Sequence, residues 1–163
     1  MLFHIVTVAQ NHIIGKNQKI PWCFPEDREH RSKLTIGSTV IMGRKTYEGL
    51  GKPLPDCQNF VLSKSLPSGG DNPQFFDTLG DALGQIKTQK AFILGGADLF
   101  MQTLSLIDGV YMTRIHQNYD GDVFYPPLPF SFSEQSRLNL CDQPKIESIY
   151  YERIQTKRCP CGE

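Results

Sequence analysis

The residue types best suited to chemistry sit in one stretch, Ile20-Pro21-Trp22-Cys23-Phe24-Pro25-Glu26-Asp27. Pro25 followed by two acids marks a helix start, because proline fits the first turn and carboxylates face the positive end of the helix dipole. An acid in that place is ordinarily a dipole partner and nothing more. This helix is unusual, however: from Glu26 to Lys33 every residue is polar, and Leu34 is the first apolar one. Such a helix has little to pack with unless one side lines a cleft. Asp27 then becomes a carboxylate facing that cleft, and Arg31, four residues on, is placed to pair with it. The preceding loop, Asn11–Gln18, carries glycine and asparagine and is able to close over a ligand.

A second group of residues suits phosphate. Thr39–Met42 reads as a strand that runs into Gly43-Arg44-Lys45-Thr46, and Phe60–Leu62 ends in Ser63-Lys64-Ser65. Arginine, lysine and serine all donate to phosphate oxygens. A further strand, Ala91–Leu94, ends at Gly95-Gly96 and opens a helix. Glycines there let backbone approach a ligand closely, and a helix start attracts an anion such as a pyrophosphate. Taken singly, Gly-Gly is a tight turn and Gly-Arg-Lys-Thr a solvated helix start. At the same edge of one sheet they favour a dinucleotide with an additional phosphate, so NADPH fits better than NADH. The Gly-x-Gly-x-x-Gly fingerprint is absent, and any dinucleotide is held in another way.

These sites need a scaffold. Leu2–Ala9 is a near-continuous apolar run with β-branched residues, as expected of a strand buried on both faces. Thr78 with Asp81 resembles a capping box before Leu83 and Ile86, and Ala97–Leu106 carries Leu99, Phe100 and Leu104 at helical spacing. After about residue 108 the helical signal fades, and Val110–His116 and Ser148–Thr156 read as strands. The alternation predicts an α/β fold: a single central mixed, mostly parallel β-sheet with helices on both faces and an antiparallel C-terminal edge. Ligands in such sheets sit beyond the carboxyl ends of the parallel strands.

Composition narrows the classes. The chain has 163 residues, 39% hydrophobic and 21% charged, which suits one globular domain spanning 1–163. Lys+Arg and Asp+Glu both total 17, and zero net charge argues against a general nucleic-acid binder. The five cysteines form no recognisable zinc or disulfide framework, which fits a reducing compartment; Cys159-Pro-Cys161 reads as a solvated tail. Leu2–Ala9 lacks a basic leader and is too short to span a bilayer. A cytoplasmic monomer acting on a small molecule, with no membrane, nucleic-acid or metal partner, is the expectation.

Ile13-Ile14-Gly15, Ile20-Pro21-Trp22, Asp27, Val40-Ile41-Met42-Gly43-Arg44-Lys45-Thr46-Tyr47-Glu48, Gly51-Lys52-Pro53-Leu54-Pro55, Leu94-Gly95-Gly96 and Gly121-Asp122 with Tyr125-Pro126 together resemble the dihydrofolate reductase family. The motifs follow the family's order and spacing from residue 1 to about 126. The resemblance implies NADPH-dependent reduction of 7,8-dihydrofolate to tetrahydrofolate, with hydride to C6 and a proton to N5 of a pterin held by Asp27. It implies that Trp22 and Thr113 order a water and orient Asp27. Thr7, Ile14, Gly15 and Ile20 are then expected around the nicotinamide, and Gly95, Gly96, Ala97, Asp98 and Leu99 near the pyrophosphate. Arg44, Ser63 and Lys64 take the adenosine 2′-phosphate, and Gly43, Lys45, Thr46 and Leu62 lie along the same dinucleotide. Ile5, Val6, Leu50, Lys52, Leu54, Leu94 and Phe100 complete the implied substrate site with Asp27, Arg28, Arg31, Cys57 and Thr113.

The sequence also departs from that family. Cys57 stands where an arginine normally clamps the α-carboxylate of the glutamate tail. Arg28 and Arg31 replace apolar residues beside the aminobenzoyl ring, Phe100 replaces a common tyrosine, and Asp98 puts a carboxylate near the cofactor phosphates. Either Arg28 and Arg31 move the carboxylate clamp to the helix, or the natural substrate is another dihydropterin or related small ring without the tail. A non-catalytic pterin- or nucleotide-binding module is the third reading.

Overall fold

Leu2–Ala9 (β1) and Ile13–Gly15 (β2) lead into the helix Pro25–Thr35 (α1), followed by Thr39–Gly43 (β3), Arg44–Leu50 (α2), Gln58–Leu62 (β4), Gln74–Phe76 (β5) and Leu79–Gly84 (α3). Ala91–Gly95 (β6), Ala97–Thr103 (α4), Gly109–Ile115 (β7), Val123–Phe124 (β8), Phe132–Asp142 (β9) and Lys145–Arg153 (β10) complete the chain. The computed structural model describes residues 1–17, 19–65 and 69–155. The Cys159–Cys161 tail and Thr156, the expected end of the last strand, lie outside them.

Among the described residues eight strands form one sheet in the order β5-β4-β3-β6-β1-β7-β10-β9. The pairs from β5 to β7 are parallel, and β10 runs antiparallel to both β7 and β9. This is the mixed sheet with an antiparallel C-terminal edge that the sequence predicts. It is not the only sheet: β2 and β8 pair in a separate two-stranded ribbon. The apolar runs fill the centre because both faces there are covered. Phe3, Ile5, Val40, Met42, Val61 and Phe92 pack on one face with Leu34 of α1 and Tyr47 and Leu50 of α2. Val6, Val8, Ile41, Phe60 and Ile93 pack on the other with Ala82 of α3 and Leu99 and Phe100 of α4.

Two features of the topology open a cleft. The chain leaves β1 toward β3 through α1, and leaves the adjacent β6 toward β7 through α4, so the two connections depart in opposite directions on opposite faces. That divergence is a topological switch point, where open α/β sheets place ligands. The pairing between β1 and β6 also stops early. It joins Leu2, Phe3 and His4 to Ala91, Phe92 and Ile93, whereas β1 stays paired to β7 through Ala9. Beyond His4 and Ile93 the strands part, leaving Ile5, Val6 and Thr7 on one lip and Leu94, Gly95 and Gly96 on the other.

Candidate active site

Asp27 stands at one lip. Pro25 at the start of α1 brings it into the first turn, and the Thr7 hydroxyl donates a 2.7 Å hydrogen bond to its Oδ2. The side chain is only 9% exposed although the helix around it is polar. The resemblance implies orientation of Asp27 by Thr113 and a place beside the nicotinamide for Thr7; the structure gives the direct bond to Thr7. Thr113 is Thr7's register partner on β7, and Ser148 is Thr113's partner on β10. Three hydroxyl residues therefore cross three strands in one row. The far end of that row carries a group the sequence reading missed, because a lone histidine on a polar helix has no signal: His30 Nε2 lies 2.7 Å from Ser148 Oγ.

The expected Asp27–Arg31 ion pair does not form. Arg31 Nε is buried without a hydrogen-bond partner. Burial pulls its guanidinium below the ordinary value, with the Asp27 carboxylate opposing that and Arg28 adding to it. Arg28 is exposed and donates to Cys23 Sγ at 2.8 Å. Cys57 is half-buried among Leu54, Leu34 and Leu50. Burial pushes its thiol up, partly offset by a hydrogen bond with Thr35, so it stays a neutral thiol. It offers a carboxylate no cation.

The opposite lip is bare backbone. Gly95 has φ +129°, which L side chains rarely adopt, and a Cβ there would meet the Phe100 ring at 3.4 Å. Gly43, at the end of β3, abuts the same spot, with Gly95 O and Gly96 N each 3.9 Å from where its Cβ would stand. Next to it, Arg44 Nη1 donates to Ser65 Oγ, Ser63 Oγ lies 3.2 Å from Ser65 Oγ, and Lys64 is exposed. A guanidinium, hydroxyls and an ammonium at two strand ends suit a phosphate monoester. A cradle without Cβ atoms beside it suits a pyrophosphate. The residues present thus fit a dinucleotide carrying an extra phosphate. Lys45 and Asp98 are exposed at this edge and Thr46 is half-buried, the Thr46 hydroxyl lying 3.7 Å from a Cβ built on Gly96.

Several expected site residues also pack in the core. Val6 and Leu99 are buried in the cluster on the α4 face, with Ile14 and Leu62 packed against it; only their backbone or one edge is left for a ligand. Ile5, Leu54, Leu94 and Leu50 share the α1 face with Cys57, whereas Lys52 is exposed. Phe100 is clasped from behind by His4 and Tyr125, its ring centroid 4.9 and 5.2 Å from theirs. Thr103 Oγ1 donates to Leu99 O and so accepts from His4 Nε2–H, 2.7 Å away; the Tyr125 hydroxyl donates to His4 Nδ1, also at 2.7 Å.

Above the cleft, Trp22 packs its ring on Tyr119, centroids 5.0 Å apart. Asn11 Nδ2 donates to Tyr119 O at 2.8 Å, and Asp122 N to Gly15 O at 3.1 Å. The loop bearing Ile20, which is 58% exposed, is therefore clasped by the 117–122 segment. Tyr119 has no signal in the sequence, since its role depends on that clasp.

A cleft between a buried acid and a glycine turn flanked by phosphate donors, at the switch point of an α/β sheet, defines a nucleotide-dependent enzyme. Comparison with known proteins gives the family. The family model described as dihydrofolate reductase matches residues 1–157. The dihydrofolate reductase of Bacillus subtilis is 35% identical over 164 residues, covering 97% of this chain and 98% of its own length. That of Haemophilus influenzae is 38% identical over 125 residues, covering 76% and 78%. Among solved structures, dihydrofolate reductase from Enterococcus faecalis complexed with NADP(H) and RAB-propyl superposes with a TM-score of 0.84 at 26% identity, over 95% of this chain and 97% of that one. The chain belongs to the dihydrofolate reductase family.

Proposed function

We propose that this chain reduces 7,8-dihydrofolate to tetrahydrofolate with NADPH. The observation that carries the reading is Asp27: a buried carboxylate, fixed by Thr7, at the mouth of the gap between β1 and β6. With one oxygen held by Thr7, its remaining lone pairs face the cleft and suit the two N–H donors of a pterin's amidine-like edge. Bound NADPH supplies the hydride for C6. The chain's part is to hold the ring, to hold the cofactor's phosphates through Arg44, Ser63 and Lys64 with the Gly95-Gly96 backbone, and to exclude water by the loop that Tyr119 and Asp122 clasp. Trp22, packed on Tyr119, and Thr113, beside Thr7 in the register, are assigned the ordering of a water near N5.

The glutamate tail needs a cation that residue 57 lacks. We assign that role to Arg31, whose buried Nε has no partner, with Arg28 at the rim. We take the enzyme to act as a monomer on a small molecule in the cytoplasm, with no nucleic-acid or membrane partner. Among the described residues no helix is long and apolar enough to cross a membrane.

The test is steady-state NADPH oxidation with dihydrofolate and with a dihydropterin lacking the p-aminobenzoyl-glutamate tail. Turnover with a clear kcat/KM preference for dihydrofolate, lost in Arg28→Met/Arg31→Met, supports the assignment. Equal kcat/KM for the two substrates would point to a tail-less ring instead.

A further inference from the structure

We propose that His30 is a positioning residue of this active site: anchored to Ser148 three residues after Asp27, it is a second titrating group whose charge biases the catalytic carboxylate. The proposal rests on the reading of Asp27 as the acid that holds the pterin. His30 and Asp27 lie at (i, i+3) on one face of α1, which places their Cβ atoms about 5–6 Å apart. Neither side chain is free to turn away. Asp27 is tied to Thr7 on β1 and His30 to Ser148 on β10, each at 2.7 Å. Thr113, on the strand between, keeps both anchors in one row.

The surroundings make the coupling specific. The imidazole is half-buried; burial lowers its pKa from 6.5, the Asp27 carboxylate opposes that shift, and Lys33 adds to it. The facing strands bring one other carboxylate to this side, Glu152 of β10, which acts on Tyr111 and Tyr150, whereas the charges felt by His30 are those of Asp27 and Lys33. Ser148 is opposite Leu138 of β9, and Tyr111 and Tyr150, further along, have hydroxyls pushed up by burial. Glu147, next to Ser148, belongs to the other face of the strand, where His116, Arg137 and Lys145 engage it. Asp27 favours the proton on His30, and coupling between sites is reciprocal. The charge that a proton puts on His30 is therefore felt by the Asp27 carboxylate in turn. The helix thereby gives the acid a cation that is present in acid and absent above neutrality, which neither Arg31 nor Lys33 can do.

The experiment has two arms. In the first, the Cε1–H resonance of His30 is titrated by NMR in the native protein and in Asp27→Asn, with no substrate present. The midpoint is expected to fall in the variant, and identical titrations in the two proteins would overturn the proposal whatever the protein's substrate. In the second, the pH profile of kcat/KM with dihydrofolate is compared between the native enzyme and His30→Gln. Removing the cation is expected to move the acid-side ionisation to higher pH, by about threefold in proton affinity, with kcat/KM above pH 8 changed less than about twofold. Profiles that differ only by a constant factor would reduce His30 to packing and overturn the proposal. Should His30→Gln fail to fold, Ser148→Ala, which frees the imidazole, takes its place with the same expected direction and the same overturning result.

Discussion

Thr7 and Asp27 are twenty positions apart, and their 2.7 Å hydrogen bond joins the central strand to the helix that lines the cleft. A hydrogen bond to a charged group is worth about 1.5–3 kcal/mol. Thr7→Val keeps the β-branched shape and removes only the donor. It should lower kcat/KM for dihydrofolate about ten- to a hundredfold without lowering Tm by more than a few degrees. Steady-state kinetics beside calorimetry checks both halves. The exchange of cations around the tail makes a second prediction. With Cys57 neutral and Arg31 Nε unpartnered, Arg31→Met should raise KM for dihydrofolate about tenfold and leave KM for a tail-less dihydropterin within about twofold. Asp27, Arg44 and the Gly95-Gly96 turn are ordinary for their places taken singly, and were legible in the sequence only through the wholly polar helix after Asp27 and the sheet edge that the other two share. His30, Ser148 and Tyr119 were not, since each matters only through a partner brought from a distant strand or loop.

At the scale of elements, the runs that a buried parallel sheet requires were legible. β1 has the expected bounds, and β3 and β6 each run one residue further, into Gly43 and Gly95. Thr78 does accept from Asp81 N at 3.1 Å, capping α3. Polar strands escaped. β4 begins at Gln58, two residues before the apolar run, because Asn59 is fully buried while its side chain bonds the Leu54 and Cys57 backbone and Asn72. β9 is mostly exposed along its length as an edge strand, so it shows no hydrophobic period to read. The ribbon of β2 and β8 is too short for any pattern. α4 stops at Thr103, three residues short of the expected Leu106, where the Thr103 hydroxyl turns back to Leu99 O. The Gly95 turn carries a prediction of its own. Gly95→Ala forces an L residue to φ +129° against the Phe100 ring, a cost of about 1–3 kcal/mol. Tm should fall by about 3–8 °C, and the Kd for NADPH, measured by fluorescence titration, should rise.

Across the whole molecule, the sheet buries a basic group, His4, that stays neutral until strongly acid pH. His4 is fully buried, and desolvation lowers its pKa from 6.5 to about 3. The unfolded chain takes up a proton at this residue near pH 6.5 while the folded chain does not. Stability is therefore complete above pH 6.5 and is lost as pH falls toward 3. Between pH 6.5 and 5, where most carboxylates stay ionised, this one group should remove about 1–2 kcal/mol of unfolding free energy. His30, lowered in the same direction, adds to the slope. Urea unfolding at several pH values measures it, and His4→Gln should flatten most of it.

In the proposed reaction the Asp27 carboxylate holds the ring against the reduced nicotinamide. Single-turnover loss of NADPH fluorescence on mixing the native enzyme–NADPH complex, or that of Asp27→Asn, with saturating dihydrofolate tests it most directly. The variant should be slower by about a hundredfold or more, with an unchanged Kd for NADPH. Equal single-turnover rates in the two proteins would contradict it.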